Sequence, residues 1–335
     1  MPRRAVLLLV TLTFVAMAAP WLAPYDPGQT FRGYRHAPPM RPRLSLGLAV
    51  HPVVLKSLRE EQFAEDFTRM VALPWSASRT DPVFLLGADK SSRDVLSRLL
   101  WGARMSLGVG LVSALLVAFI GALLGGWAAA QGGWSDDVVL RLSDVLLVLP
   151  VLYVVIVLRA VLPLVLSQAQ VFWIMAGIFS LVGWPVVARG VRAIVARDRE
   201  REYVLAARSL GASPGRVLWR HLLPACAGHV AVQASLLLPA FILAEAALSY
   251  VGLGFPDTVP TWGTMLREAA DVNELSRFPW TLTPAAAIFL VTLSTNVVLQ
   301  ARPVERRRSA DRVANRTAWA VGPADTIERP LRTPN

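Results

Sequence analysis

The sequence has very few of the residues that soluble proteins use for cross-links and charge. Cys226 is its only cysteine, so no disulfide framework and no cysteine-based metal site is available. Lys56 and Lys90 are its only lysines, and arginine therefore supplies almost all of the positive charge behind the formal net charge of +11. Charged residues make up only 17% of the 335 residues, against about 25% in an average soluble domain. With 54% hydrophobic residues, the composition indicates a membrane protein.

Motifs for enzymatic work are also missing. The sequence contains no G-x4-G-K-[S/T] phosphate-binding loop, so the chain is not expected to hydrolyse ATP itself. Its four histidines are scattered outside any metal-ligand spacing, and no Asp or Ser cluster accompanies them. We therefore expect no enzymatic activity and no cofactor or metal on this chain. The arginine excess could serve nucleic-acid binding, but in an apolar chain arginines more often mark the cytoplasmic side of membrane spans.

Long apolar runs are what the sequence does have. The first, AVLLLVTLTFVAMAAPWLA, follows two arginines and so begins like a signal peptide. Pro20, Trp21 and Pro24 make a poor cleavage site, which favours a retained anchor over residues 1–24. Five further apolar runs follow, at Met105–Ala130, Val138–Leu162, Val171–Val191, Cys226–Leu253 and Trp280–Leu299.

Each of the five runs has about the 20 residues that a helix needs to cross a hydrocarbon core near 30 Å thick. Inside such a core the backbone must satisfy its own hydrogen bonds, and runs of this length do so as helices. The sequence therefore predicts an all-α polytopic membrane protein with six transmembrane helices. Gly121 and Gly125 form a G-x3-G pattern in the second helix, which favours a close helix crossing.

The placement of arginine predicts the orientation. Eight arginines lie between Arg189 and Arg220, and four lie close together in the tail after Gln300. The linker between the third and fourth spans has no Lys or Arg. Six crossings place both arginine-rich segments and the N-terminus on one side, which is expected to be the cytoplasm.

The expected organisation has four parts. These are an N-terminal anchor (1–24), an external insertion of uncertain fold with a pre-helix segment (25–98), a five-helix core with a cytoplasmic loop at 192–224 (99–300), and a basic cytoplasmic tail that we expect to be disordered (301–335).

One cytoplasmic segment, EYVLAARSLGASPGRVLWRHLLP, is neither a span nor an ordinary polar loop. Its first half favours a helix that ends at Gly211, a natural C-terminal stop. Ser213 and Pro214 then provide an N-cap and a first-turn proline for a second helix that runs to Pro224. This pattern predicts a helix, a tight turn and a second helix.

Small residues in this segment bear on its function. Ala206, Ala207 and Gly211 would let another backbone approach closely, which suits a knob inserted into a groove of a partner protein. A solvated hairpin that only connects two spans explains the spacing equally well, so both interpretations stay open at this point.

A family resemblance bears on that choice. YVLAARSLGAS followed by RHLLP resembles the EAA loop of ABC-importer permeases, E-A-A-x3-G-x9-I-x-L-P. Leu205 stands where the family has glutamate and His221 where it has isoleucine. The Leu205 departure removes a charge from the loop. The residues that fit the pattern are Ala206, Ala207, Gly211, Leu223 and Pro224.

Three other stretches resemble the dipeptide/oligopeptide/nickel branch of those permeases. LGADKSSRDVLSRLLWGARMSL is similar to the signature before the second helix, with Ser92 in place of the usual glycine. RLSDVLLVLP carries the Asp144 and Pro150 of the third helix. AEAALSYVGLGFPDTVPTWGTML is similar to the end of the fifth helix and the loop beyond it, a loop that would face the binding protein or cap the pore at the outer mouth. Together they cover about Leu86 to Leu299.

The resemblance implies a permease subunit of an ATP-driven importer in a bacterial inner membrane, forming half of a pore for di- and oligopeptides. The implied partners are a second homologous permease, two cytoplasmic ATPases that bind the ATP, and an external substrate-binding protein. Nickel or another small solute is the alternative substrate. A stand-alone secondary transporter or channel is a further alternative. A secondary transporter would be expected to show paired ionisable residues or interrupted helices in two related halves, and this sequence has no such internal symmetry. The residues expected to couple to the ATPase are Tyr203, Ala206, Ala207, Arg208, Gly211, Leu223 and Pro224.

Ionisable residues inside apolar runs are costly and are functional candidates. Asp144 can pair with Arg141 or with the partner subunit. Arg159 lies about 30 Å along its helix and is expected to reach the outer surface. Glu245 is the deepest, and it either lines or gates a pathway or pairs helices. Pro150 can kink the third helix, which either serves the gate or is a passive bend. The pore or gating candidates are Asp144, Pro150 and Glu245.

Overall fold

The computed structural model describes residues 2–45, 47–50, 53–57, 62–65, 71–72, 82–163, 166–270 and 272–298. The basic tail at 301–335, for which disorder is expected, lies outside the described residues. The helices are α1 (Pro2–Met17), α2 (Ala19–Leu22), α3 (Val95–Gln131), α4 (Trp134–Val148), α5 (Val151–Ala160), α6 (Gln168–Asp198), α7 (Glu202–Ser209), α8 (Pro214–Val217), α9 (Leu223–Val251), α10 (Trp262–Glu268), α11 (Val272–Arg277) and α12 (Pro279–Val298).

Within the described residues, four helical segments are long and apolar enough to cross a membrane. They are α3, α6, the continuous run from α8 through α9, and α12, and a fifth span results if α4 and α5 are counted as one broken helix. Helix α1 has only 16 residues. At 1.5 Å per residue it extends about 24 Å, less than a hydrocarbon core of about 30 Å. The six-span topology therefore stays a prediction.

The single helix predicted over Val138–Leu162 is wrong, because the chain breaks at Pro150. Helix α4 ends at Val148, Leu149 and Pro150 are extended, and the two helices meet at 91°. Proline lacks a backbone N–H and disfavours helical geometry at the residue before it, which accounts for the break. The kink expected at Pro150 is therefore confirmed, as a complete interruption of the helix.

The core of the bundle is the contact of α3 with α6 and α9. A Cβ added at Gly125 would overlap the carbonyl oxygen of Ala188, and one at Gly121 would lie 2.8 Å from that of Trp184. The two helix backbones therefore touch along the G-x3-G pattern. This confirms the close crossing that the sequence predicts, and only glycine fits at either position.

The expectation of an all-α chain holds for the helical core but is wrong for the insertion. Five short strands lie there: β1 (Pro42–Ser45), β2 (Gly47–Val50), β3 (Val53–Ser57), β4 (Gln62–Glu65) and β5 (Val71–Ala72). They form antiparallel pairs in one sheet of order β1-β2-β5 and one hairpin β3-β4. Strands of two to five residues are too short to give a recognisable alternating pattern.

The segments on either side of these strands pack over the start of α3. Tyr25 and Phe84 share a small buried cluster with Phe31. The Val83 N–H donates to the Tyr25 hydroxyl at 2.8 Å, and the Tyr25 N–H donates to Ser97 Oγ in the first turn of α3 at 3.1 Å. The insertion is therefore fixed to the helical core at its base.

The crossing of α3 and α6 leads to a stability prediction. We expect Gly125→Ala to destabilise the protein by about 2–3 kcal/mol, because the new methyl group would overlap the Ala188 backbone. The thermal unfolding midpoint of the detergent-purified protein measures the change. Gly177→Ala in α6 is the matched control, since nothing lies within 4 Å of its Cβ position, and it should be neutral or slightly stabilising. Equal midpoints for the two variants would contradict the close crossing.

Candidate functional site

The segment between α6 and α9 forms the helical hairpin that the sequence predicts. Helix α7 ends at Ser209, and Gly211 adopts a left-handed φ of 83°. The Gly211 N–H donates to the Arg208 carbonyl at 2.9 Å, and the Ala212 N–H donates to the Ala207 carbonyl at 3.0 Å. These two bonds are those of a Schellman C-cap, so the predicted stop at Gly211 is confirmed.

The second arm of the hairpin starts as predicted but does not stop at the predicted residue. The Arg216 N–H donates to Ser213 Oγ, with Pro214 in the first turn of α8. A π-helical turn at Leu218–Leu222 then carries the chain directly into α9. The second arm is thus the end of a membrane-spanning helix. The hairpin, which we define as residues 202–222, thus continues into α9 without a break in the helix.

One side of α7 holds the hairpin and the other is open. Val204 is completely buried and packs in the main core cluster. Tyr203, Leu205 and Leu210 are 42%, 49% and 89% exposed, and Ala206 between them is exposed. We call these four residues the hairpin face. An apolar surface held this rigidly in the open is suited to contact another protein.

The other candidate coupling residues lie around this face. Arg208 and Gly211 are exposed, and Ala207 is half-buried. Leu223 instead packs toward α3, where its side chain would be 2.8 Å from a Cβ at Gly126. Pro224 is exposed in the first turn of α9. Leu223 therefore contacts the bundle rather than the hairpin face. The coupling role of all seven candidate residues stays a prediction.

Ion pairs fix the start of the hairpin to the bundle. Asp198, at the end of α6, is buried and pairs with Arg197 at 2.9 Å and Arg201 at 3.1 Å. The Arg199 side chain reaches the Ala129 carbonyl near the end of α3 at 3.1 Å. The residues that lead into the hairpin are therefore in contact with both α6 and α3.

Asp144 pairs with Arg189 of α6 at 2.9 Å rather than with the neighbouring Arg141. Both side chains are about half exposed in this chain. The face of α4 and α5 next to this pair is largely uncovered, and Pro150 lies at the break between them. A pore or gating role for Asp144 and Pro150 stays a prediction.

Arg159 does not reach the surface as expected. Arg159 is buried, with only 1% of its surface exposed, and its Nη1 donates a hydrogen bond to the Pro163 carbonyl at 3.2 Å. Its Nε has no hydrogen-bond partner among the described residues.

Glu245 is completely buried and joins three elements by hydrogen bonds. It accepts from Ser106 Oγ of α3 at 2.8 Å and from Ser249 Oγ of α9 at 2.7 Å. The Trp262 N–H, at the start of α10, donates to the same Ser106 oxygen at 3.1 Å. This arrangement is that of a contact between helices, and the gating role of Glu245 stays a prediction.

The other end of α10 is held by a cluster of four charges that sequence reasoning missed. Glu268 accepts hydrogen bonds from Arg98, in the first turn of α3, and from Arg93 at 2.9 Å. Asp89 pairs with the same two arginines. The Arg93 and Arg98 residues lie in a recognised motif, but Glu268 is 170 residues from Arg98 along the chain, and spacing alone cannot reveal that pairing.

Asp94 caps α3 next to this cluster. It accepts from the Ser97 N–H at 2.8 Å and from the Ser97 hydroxyl. Burial outweighs these bonds and raises the pKa of the Asp94 carboxyl to about 6. The pKa of Asp94 in the folded protein lies above its usual value near 4. Its contribution to stability is therefore fully present below about pH 4 and is lost as the pH rises through 6.

Two family sequence models match this chain. The binding-protein-dependent transport system inner membrane component matches residues 119–309. The N-terminal TM domain of oligopeptide transport permease C matches residues 5–39.

Curated relatives include permeases from three bacteria. A putative peptide permease protein of Brucella ovis is 37% identical over 213 residues, which are 63% of this chain and 68% of the relative. The oligopeptide transport system permease protein OppC of Bacillus subtilis is 37% identical over 213 residues, 63% of this chain and 67% of the relative. The di/tripeptide transport system permease protein DppC of Pseudomonas aeruginosa is 33% identical over 293 residues, 87% of this chain and 82% of the relative.

The buried carboxyl predicts a difference between two substitutions. Glu245→Ala should lower stability by about 2–3 kcal/mol, because two buried serine hydroxyls lose their acceptor. Glu245→Gln keeps one acceptor oxygen and should cost clearly less. Thermal unfolding of both variants, together with substrate uptake, checks this. Uptake lost in both at unchanged stability would contradict a helix-joining role and favour a pathway role.

The backbone at Ser92 predicts a stabilising substitution. Ser92 has a φ of 59°, a left-handed conformation that costs a non-glycine residue about 1–2 kcal/mol. Ser92→Gly should therefore raise stability by up to about 1 kcal/mol after the added flexibility of the unfolded chain is subtracted. Ser91→Gly, at a position without a positive φ, is the control and should give no gain. A lower unfolding midpoint for Ser92→Gly than for Ser91→Gly would count against the strain.

Proposed function

Since this chain belongs to the family of binding-protein-dependent transport system inner membrane components, we propose that it forms half of the translocation pore of an ATP-driven importer of di- and oligopeptides. A second, homologous permease forms the other half. Two ATPase subunits bind and hydrolyse the ATP, and an external binding protein delivers the substrate. The chain itself carries no catalytic site and no cofactor in this proposal.

The observation that carries this proposal is the hairpin between α6 and α9. Its apolar face is exposed, its turn is fixed by the Gly211 cap, and Val204 anchors it in the core. Such a rigid projection with a small residue, Ala206, at its centre suits a groove on an ATPase. The solvated connecting hairpin, left open by the sequence, gives no reason for Leu210 to be 89% exposed.

The connections of the hairpin support a coupling mechanism. The hairpin continues into α9 through the π-helical turn and is tied to α6 through Asp198. Closure of the ATPases would displace the docked hairpin, and α6 and α9 would transfer that displacement to the bundle as a rigid-body movement. Coupling then needs no chemical step within this chain.

The pathway is proposed on the side of α4 and α5. Half-exposed charges such as Asp144 and Arg189 are costly against lipid and typically face protein or a water-filled cavity. We propose that the second permease covers this side and that the pathway runs between the two subunits. The arginine-rich hairpin and both termini are then cytoplasmic, in a bacterial inner membrane.

Peptide is proposed as the substrate because the named relatives are peptide permeases. Competition in an uptake assay tests it: unlabelled di- and oligopeptides should compete with a labelled dipeptide, and nickel ions should not. Inhibition by nickel with no effect of peptides would favour the alternative substrate.

The docking proposal predicts the effect of bulk at the centre of the hairpin face. Ala206→Trp should lower both peptide uptake and the amount of ATPase that co-purifies by roughly tenfold, since a loss of about 1.4 kcal/mol in binding is sufficient. Ala206→Ser keeps the small size and serves as the control. Ala206 is exposed, so both variants should reach the membrane in normal amounts. Normal ATPase recovery with Ala206→Trp would argue against docking at this face.

A further inference from the structure

The hairpin face lacks the acid that the EAA pattern places on it. Leu205 occupies that position, and its side chain is 49% exposed beside Ala206 and the still more exposed Leu210. The acid of α7 is Glu202, which lies in the first turn, where it complements the helix dipole. The face therefore offers apolar contact at the position where the family pattern has a carboxylate.

The hairpin that carries this apolar patch has an excess of positive charge. Between Arg197 and Arg220 there are six arginines and three acids, a net charge of +3. From Tyr203 to His221 the sequence contains three arginines and no acid. These three are exposed, and among the described residues none of them forms an ion pair: Arg208, Arg216 and Arg220.

We infer that this hairpin binds an apolar pocket with an acidic rim on the ATPase, with Leu205 as the residue that selects it. The inference rests on the proposed function, and it specifies the chemistry of the partner. Leu205 fills the pocket, and the rim carboxylates meet the exposed arginines, because opposite charges across an interface favour the correct partner. If the pocket instead carried a cation to pair with a glutamate, that cation would face Leu205 and would be buried without an ion-pair partner.

A membrane surface is the other environment that could receive an apolar face edged by arginines. Helix α7 has only eight residues and its direction is reversed at once by the Gly211 cap. Helices that lie in the lipid interface carry a large apolar face opposite a charged one. The exposed side of α7 instead mixes Leu205 and Ala206 with Arg208 and Ser209, which favours a small protein pocket.

Leu205 can be changed without disturbing the fold. Its side chain is half exposed, whereas its neighbour Val204 makes the core contact. The bond from Ser209 Oγ to residue 205 uses the backbone carbonyl, which a substitution keeps. A loss of binding in a Leu205 variant therefore reports on the interface.

The experiment purifies the tagged importer from native membranes in mild detergent and measures the ATPase subunits retained per copy of this chain. Leu205→Glu should reduce retention at least about tenfold, because the carboxylate would enter an apolar pocket rimmed by acids. Leu205→Met, a control of similar volume, should retain the ATPase within about twofold. Arg208→Glu should also reduce retention, and retention by the unchanged chain should fall with rising salt.

The outcomes separate the inference from the proposed function. If the unchanged chain retains no ATPase, the proposed function fails and the inference fails with it. If the unchanged chain retains ATPase and Leu205→Glu retains as much or more, the inference is overturned while the proposed function stands. Salt-independent retention, unchanged by Arg208→Glu, overturns the acidic rim.

A spectroscopic arm tests the membrane alternative. A fluorophore is attached at Leu210→Cys in a Cys226→Ser background, and its quenching is compared in the assembled importer and after removal of the ATPase. Protection from a water-soluble quencher by the ATPase supports the pocket. Quenching by a lipid-soluble quencher, with or without the ATPase, places the face in the membrane and overturns the inference.

Discussion

The close contact of α3 with α6 is the constraint on which the rest of the structure depends. At Gly121 and Gly125 the two backbones approach so closely that a single methyl group would not fit. Helix α6 leads from this crossing into the hairpin, and α3 leads in the opposite direction to the charged cluster at Arg98. One packed crossing thus fixes where both the candidate coupling surface and the polar contacts around α10 lie. If α3 and α6 were not packed together, the ion pairs near the hairpin and at Arg98 would lie on helices with no fixed distance between them.

Local rules predicted local structure well. The stop at Gly211, the cap at Ser213 and the G-x3-G crossing each follow from one residue's backbone or size, and the structure confirms all three. The break at Pro150 has a local cause, but its angle depends on what α4 and α5 pack against. The sequence could not predict the strands of the insertion, because they are too short to show an alternating pattern.

Contacts between distant residues were the part that the sequence could not provide. Glu245 was recognised as costly, yet its partner Ser106, which also accepts from the Trp262 N–H, lies on α3, whose position relative to α9 only the fold sets. The same holds for Asp144, where the adjacent Arg141 was the natural expectation and Arg189 of another helix is the partner. The charge of a residue indicates that it needs a partner. Which residue is close enough to be that partner depends on how the helices pack, and the sequence does not show this.

Both ends of α10 are joined to α3 by polar contacts, at Trp262 and at Glu268. Separating α3 from α9 and α10 would remove the hydrogen-bond partners of Glu245, Arg98 and Glu268, which is costly where these groups are buried. By contrast, α4 and α5 meet at a break and share few buried side chains with their neighbours. Buried polar contacts therefore hold α3, α9 and α10 together, whereas none joins α4 to α5 across the break among the described residues. If the hairpin moves as proposed, we expect the bundle to bend beside Pro150.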